Sequence, residues 1–216
     1  MDKLRFHTAD GVDLEGELRE PEGEARGSAV ICHPHPLEGG SKDHPLLWAI
    51  RNELASRGFV VLSFNFRGVM GSEGEHSKGV EEIEDVRAAV DRVREESSGP
   101  TFVAGWSFGA NVALREAVQD DRVGALALVG MPLAESSGAL PDLPDRSELS
   151  SFGRPVLLVA GEADQFCPVP EVRSLGRRIR GAEVAVLPGT DHFFWKRERE
   201  VAELIGDFAE RRLLAA

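Results

Sequence analysis

Cysteine is scarce in this sequence: Cys32 and Cys167 are the only two, far apart and outside any Cys-x-x-Cys spacing. Such usage excludes a disulfide framework and gives no structural zinc site, so both thiols read as packing residues. Long apolar runs are missing as well. No stretch approaches the about 18 residues needed to span a bilayer, and Met1-Asp2-Lys3-Leu4-Arg5 leads into a charged, alternating segment instead of a signal-peptide core. The cytoplasm is therefore the expected compartment. Positive charge is in deficit, with 25 Lys and Arg against 37 Asp and Glu and a formal net charge of −12. A chain so charged repels phosphate backbones and anionic lipid before contact, which makes nucleic acid and membranes unexpected partners. Tyrosine is absent too, and no functional reading attaches to that.

What is present fits an ordinary globular chain. The 216 residues, 42% hydrophobic and 29% charged, suffice for one domain over 1–216 with a large core. Leu4–His7 and Val12–Leu18 alternate apolar with polar around Ala9-Asp10-Gly11 and predict an antiparallel hairpin at a sheet edge. Ser28–Cys32, Phe59–Phe64, Thr101–Ala104, Val123–Val129, Pro155–Ala160 and Ala182–Leu187 are short apolar runs of the kind covered on both faces. Helical spacing falls between them: Leu46, Leu47, Ile50 and Leu54; then Val80, Ile83, Val86, Val90 and Val93, with Glu81, Glu82, Glu84 and Asp85 facing away; then Val169 to Ile179; then Val201, Leu204, Ile205 and Phe208. Residues 131–154, rich in Pro, Ser, Gly and acidic groups, predict a long surface excursion or small lid with at most one short helix. This alternation predicts an α/β fold, a mostly parallel sheet of about 7–8 strands with helices on both faces.

Gly105-Trp106-Ser107-Phe108-Gly109 sits between a predicted strand and a predicted helix. A strand reversing that sharply into a helix crowds the positions two before and two after its centre, and only very small residues fit there. The central serine then projects at a helix N-terminus, where N–H groups and the helix dipole favour negative charge. Ser107 is the candidate nucleophile. A serine hydroxyl needs a base, and the base a group that orients it. In a parallel sheet these belong at the carboxyl ends of the strands. Gly161-Glu162-Ala163-Asp164 and Gly189-Thr190-Asp191-His192 both follow strands there, giving His192 as base and Asp164 as its partner, with Glu162 the rival acid and Asp191 a turn residue. Of the other histidines, His7, His44 and His76 are expected in solvent. His33, His35 and His44 as a metal set are disfavoured, because Pro34 and Pro36 impose extended geometry. Arg67 is expected to tie loops together.

The order Ser107, Asp164, His192, with Gly-x-Ser-x-Gly between strand and helix, resembles the α/β-hydrolase superfamily over essentially the whole chain. Gly161-Glu162-Ala163-Asp164 with Pro168, Gly189 to Phe194, and Asn65-Phe66-Arg67-Gly68 with Gly71 to Gly74 are similar to the acid turn, histidine loop and fourth-strand loop of its small, nearly lidless members, related to dienelactone hydrolases and short-chain acyl hydrolases. His33-Pro34-His35-Pro36 with Gly39-Gly40 stands where most members carry His-Gly. The resemblance implies an α/β-hydrolase fold and a Ser-His-Asp triad without cofactor or metal, acting on small ester-type substrates as a monomer or homodimer. It also implies an oxyanion hole made by the amide of Phe108 and one from the His-Pro loop. Proline has no N–H, so that second amide belongs to His35 or Leu37. The rival functions are a non-catalytic protein that binds a small ligand on the same fold, and a small peptidase or amidase.

Overall fold

In the computed structural model, residues 2–133 and 140–215 are described. Their strands form one eight-stranded sheet in the order β1-β2-β4-β3-β5-β6-β7-β8. The strands are β1 Asp2–His7, β2 Asp13–Arg19, β3 Gly27–Cys32, β4 Phe59–Phe64, β5 Thr101–Trp106, β6 Val123–Val129, β7 Val156–Gly161 and β8 Glu183–Leu187. β2 pairs antiparallel with β1 and β4, and every pairing from β4 to β8 is parallel. The predicted hairpin and the predicted parallel sheet are therefore both present.

The connecting helices are α1 Pro45–Ser56, α2 Glu82–Arg94, α3 Phe108–Gln119, the short α4 Arg146–Ser151, α5 Val169–Arg178 and α6 Glu198–Ala209. Side chains alternate along each buried strand. Val30 and Val103 thus enter a core under α2, α3 and α5, while Ile31, Phe102 and Trp106 enter a second core under α1 and α6. The short helix expected within 131–154 is α4, closed by a capping box between Asp145 and Glu148. Leu149 and Phe152 anchor that segment by burial. The small-lid expectation falls in part on 134–139, outside the described residues.

Strand order also decides where the site lies. From β3 the chain crosses to β4 on one side and then returns to β5 on the other, so a crevice opens between the ends of β3 and β5. Cys32 lies directly beside Gly105 in that pair. The loop after β3 and the turn after β5 are consequently neighbours.

Several side chains differ from their sequence expectation. Val80 stands outside α2 and is 60% exposed, so the apolar face begins at Ile83. Glu82 and Asp85, expected to face away, are fully buried. Asp85 has its partner on the loop after β4, and Glu82 has its partners in the turn just before α2. Asp85 receives the Arg67 backbone N–H at 2.9 Å and its guanidinium at 2.7 Å, and Arg67 reaches on to Asp10 and Glu81. Arg67 thus ties the β1–β2 turn, the loop after β4 and α2, as expected of a loop-tying residue. Glu82 accepts from the N–H groups of Ser77 and Gly79, and His76 lies 2.7 Å from it with its side chain 8% exposed. His76 is accordingly buried against Glu82 and not solvated, whereas His7 does face solvent.

Candidate active site

β5 ends at Trp106 and α3 begins at Phe108, leaving Ser107 alone at the turn with φ 55° and ψ −119°. A non-glycine residue held there carries strain of about 1–3 kcal/mol, which the surrounding packing must impose. The two flanking glycines make the turn sterically feasible. A Cβ on Gly105 would lie 2.4 Å from the Gly109 carbonyl oxygen, and one on Gly109 would lie 2.4 Å from that of Cys32. Ser107 spends its own N–H on the carbonyl of Val129, at 2.8 Å.

His192 follows β8 and reaches back across the sheet ends. Its Nε2 lies 2.9 Å from Ser107 Oγ and its Nδ1 2.8 Å from Asp164 Oδ2. Gly130, after β6, keeps the passage clear: a Cβ there would sit 3.3 Å from both Asp164 Oδ2 and the His192 ring. Asp164, after β7, is fixed by its other oxygen, Oδ1, which accepts the N–H groups of Phe166 and Cys167 at 2.9 and 3.0 Å. The Trp106 indole donates to the His192 carbonyl at 3.2 Å and pins the histidine loop. Glu162 is turned away, accepting from Gly189 N–H at 2.9 Å, and Asp191 accepts from Phe193 N–H within its own turn. The structure brings Ser107, His192 and Asp164 into one hydrogen-bonded line and leaves Glu162 and Asp191 outside it.

The loop after β3 approaches from the opposite side. His35 caps a single 3-10 turn, Pro36–Glu38, by accepting the Leu37 N–H on its own Nδ1 at 3.2 Å. Leu37 is thereby occupied and points outward, 74% exposed. Among the described residues, the N–H groups of His35 and Phe108 have no protein acceptor. His33 is used up inside the protein, with Nδ1 2.7 Å from the Pro34 carbonyl oxygen and Nε2 accepting Phe66 N–H at 3.0 Å. His44 caps α1 by accepting the Leu46 N–H, and its ring lies 4.4 Å from that of Trp106, so it is a half-buried wall residue of the cavity and not a fully solvated one. Among the described residues no group of three metal-ligating side chains converges.

Burial, opposed in part by the Pro34 carbonyl, drives the His33 pKa down to about 4 from its ordinary 6.5. The sign follows from linkage. As pH falls below about 6.5 the unfolded chain takes up a proton that folded His33 refuses until about pH 4, so stability drains across that window, by about 3 kcal/mol in full. His33→Gln keeps an acceptor for Phe66 and removes the titration. Chemical denaturation at pH 7 and pH 4.5 is expected to show an acid loss smaller by about 2–3 kcal/mol in the variant; an equal loss in both proteins would refute it.

Ser107 and His192 open onto a cavity of about 680 Å³. This geometry, a strained serine at a helix N-terminus bonded to a histidine that a carboxylate orients, is the arrangement whose parts the sequence resemblance implied. The alpha/beta hydrolase domain family matches residues 29–210. The chain belongs to that family. An alpha-beta serine hydrolase homologue from Coxiella burnetii is 30% identical, covers 95% of this chain and 96% of its own, and superposes with a TM-score of 0.83. A serine hydrolase of Xanthomonas campestris, described as lacking a lid, is 25% identical over 100% of this chain and 96% of its own, again with a TM-score of 0.83. An uncharacterized protein of Rickettsia prowazekii is 26% identical over 96% of this chain and 88% of its own. Family and relatives support hydrolase activity for this alpha/beta hydrolase. Among the described residues no helix is long and apolar enough to cross a membrane.

Some parts of the alpha/beta hydrolase site were not singled out from sequence. Trp106 occupies a variable position of Gly-x-Ser-x-Gly, and nothing in the pentapeptide says that its indole holds the histidine loop. Phe193 and Trp195 border the cavity mouth. The available signal was three aromatic residues in succession after His192, two of which turn outward and one inward.

Proposed function

We propose that this alpha/beta hydrolase cleaves small carboxylic esters or thioesters by way of an acyl-enzyme. The single observation that carries this reading is His192, bridging Ser107 Oγ at 2.9 Å and Asp164 at 2.8 Å. His192 Nε2 removes the hydroxyl proton as Oγ bonds to the substrate carbonyl carbon, and Asp164 holds Nδ1–H and balances the imidazolium that forms. The developing oxyanion is received by the amide of Phe108, at the positive end of α3, and by the amide of His35. His35 is preferred to Leu37 because the Leu37 N–H is already given to a ring nitrogen. Each such donor is worth about 2.7–4 kcal/mol of barrier in comparable sites. The C–O or C–S bond to the leaving group then breaks as His192 returns its proton to that group. Water, deprotonated by the same histidine, releases the acid and restores Ser107. All these roles fall to the chain's own residues.

An acyl-enzyme makes a specific prediction about product partitioning. Vinyl, phenyl and p-nitrophenyl acetate, hydrolysed in the presence of methanol, are expected to yield one and the same ratio of methyl acetate to acetate, because all three pass through acetyl-Ser107. A ratio that changes with the leaving group, or no turnover of any of the three, would overturn the reading.

A further inference from the structure

The triad and oxyanion loop leave the rings at the mouth of the cavity without a task. Phe193 and Trp195 are 47% and 57% exposed, and their rings stack 6.4 Å apart at 23°. Between them Phe194 is fully buried. Phe194 and Lys196 both take positive φ, 54° and 63°, a conformation unfavourable to non-glycine residues, so the backbone on either side of Trp195 is held under strain while its ring stays outside the core. From the mouth inward the aromatic surface continues: Trp195 to His44 at 5.8 Å, then His44 to Trp106 at 4.4 Å on the cavity floor. Phe193 meets His192 edge-on at 5.8 Å, which places the shelf beside the reacting groups.

The charge of the same cavity is as selective as its shape. Among the described lining residues Glu38 alone carries a fixed charge, and no lysine or arginine takes part. Burial lowers the pKa of His44, and burial with the neighbouring His76 lowers that of His35, so both rings are neutral at pH 7. An anionic group on the substrate would find no counter-charge and one like charge.

We propose that the ester accepted here is neutral and carries a planar aromatic group, which lies on the Phe193–Trp195 shelf while Glu38 turns away carboxylated or phosphorylated analogues. This inference rests on the serine-hydrolase reading and narrows its substrate class. Two matched pairs test it: benzyl against cyclohexylmethyl acetate, and methyl phenylacetate against methyl cyclohexylacetate. Cyclohexyl is as apolar as phenyl but not flat. The aromatic member of at least one pair is expected to have a kcat/KM higher by about 3- to 10-fold, the scale of one ring-on-ring contact. In Trp195→Leu that ratio falls by the same factor of about 3- to 10-fold, toward the ratio of the two esters' rates of alkaline hydrolysis. A ratio measured within one preparation does not depend on how much of it is folded. 4-Carboxybenzyl acetate is expected to be slower than 4-methylbenzyl acetate by about 2- to 5-fold at low salt, since Glu38 is exposed and screened, and Glu38→Gln narrows the gap. Vinyl acetate turnover without an aromatic preference in either pair, a preference untouched in Trp195→Leu, or a carboxylated ester used equally well would overturn the proposal and leave the hydrolase reading standing. No turnover of any ester, vinyl acetate included, would instead remove the hydrolase reading and this inference with it.

Discussion

Ser107→Ala lowers kcat on a small ester by roughly 10⁶-fold, and the double variant Ser107→Ala/His192→Ala loses no more. The reason lies in the single line of hydrogen bonds through His192. Without Oγ there is no nucleophile for His192 to deprotonate, and without His192 the hydroxyl stays protonated at neutral pH. Either loss removes the same step, so the two do not add. What is expected to survive is the part of catalysis owed to binding and to the backbone amides proposed to receive the oxyanion, which an alanine side chain leaves in place. Steady-state kinetics of both single variants and the double decide the matter. Losses that multiply across the double variant would mean that Ser107 and His192 act independently, and the shared step would be wrong.

Asp164→Asn is expected to lower kcat at pH 7 by about 10⁴-fold with little change in stability. The argument is one of hydrogen-bond bookkeeping at two atoms. Oδ1 of Asp164 accepts two backbone N–H groups, from Phe166 and Cys167, and Oδ2 faces His192 Nδ1. In asparagine only one of these positions remains an acceptor, and the two amides claim it, since leaving both unpaired in the interior is costly. The side-chain NH₂ then faces Nδ1 and donates to it. His192 must in consequence carry its proton on Nε2, where it cannot accept from Ser107. The wrong tautomer, and not a lost contact, causes the defect. A denaturation midpoint near wild type together with the kinetic loss is the predicted pair of results. A variant with near-normal kcat would show that Asp164 does not set the tautomer.

The sheet and the line of Ser107, His192 and Asp164 were legible in sequence for local reasons. An apolar run, a glycine-flanked turn and a helical repeat each depend on neighbours within about ten residues, and the position after a parallel strand is itself a spatial coordinate. Residues whose placement depends on a partner from elsewhere were not legible. Glu82 and Asp85 read as outward because acidic residues rarely enter a core unpaired. Asp85 is buried because Arg67 arrives from the loop after β4 to meet it, and Glu82 because the Ser77–Gly79 turn just before α2 folds back and donates its N–H groups. His76 and His44 read as solvated on the same prior; His76 is instead covered by Glu82, six residues on, which itself reads as facing away, and His44 packs against Trp106, distant in sequence. The proposed preference for His35 over Leu37 as oxyanion donor rests on a single ring nitrogen. Once His35 Nδ1 accepts the Leu37 N–H, the free amide is that of His35, and no spacing rule states which way that ring will face.

Intact mass after treatment with a fluorophosphonate probe, with peptide mapping of the adduct, tests most directly whether Ser107 is an activated nucleophile. One adduct per chain, mapped to Ser107, absent from Ser107→Ala and strongly slowed in His192→Ala, is the predicted result. Folded wild-type protein that takes no adduct, or takes it on another residue, would contradict it.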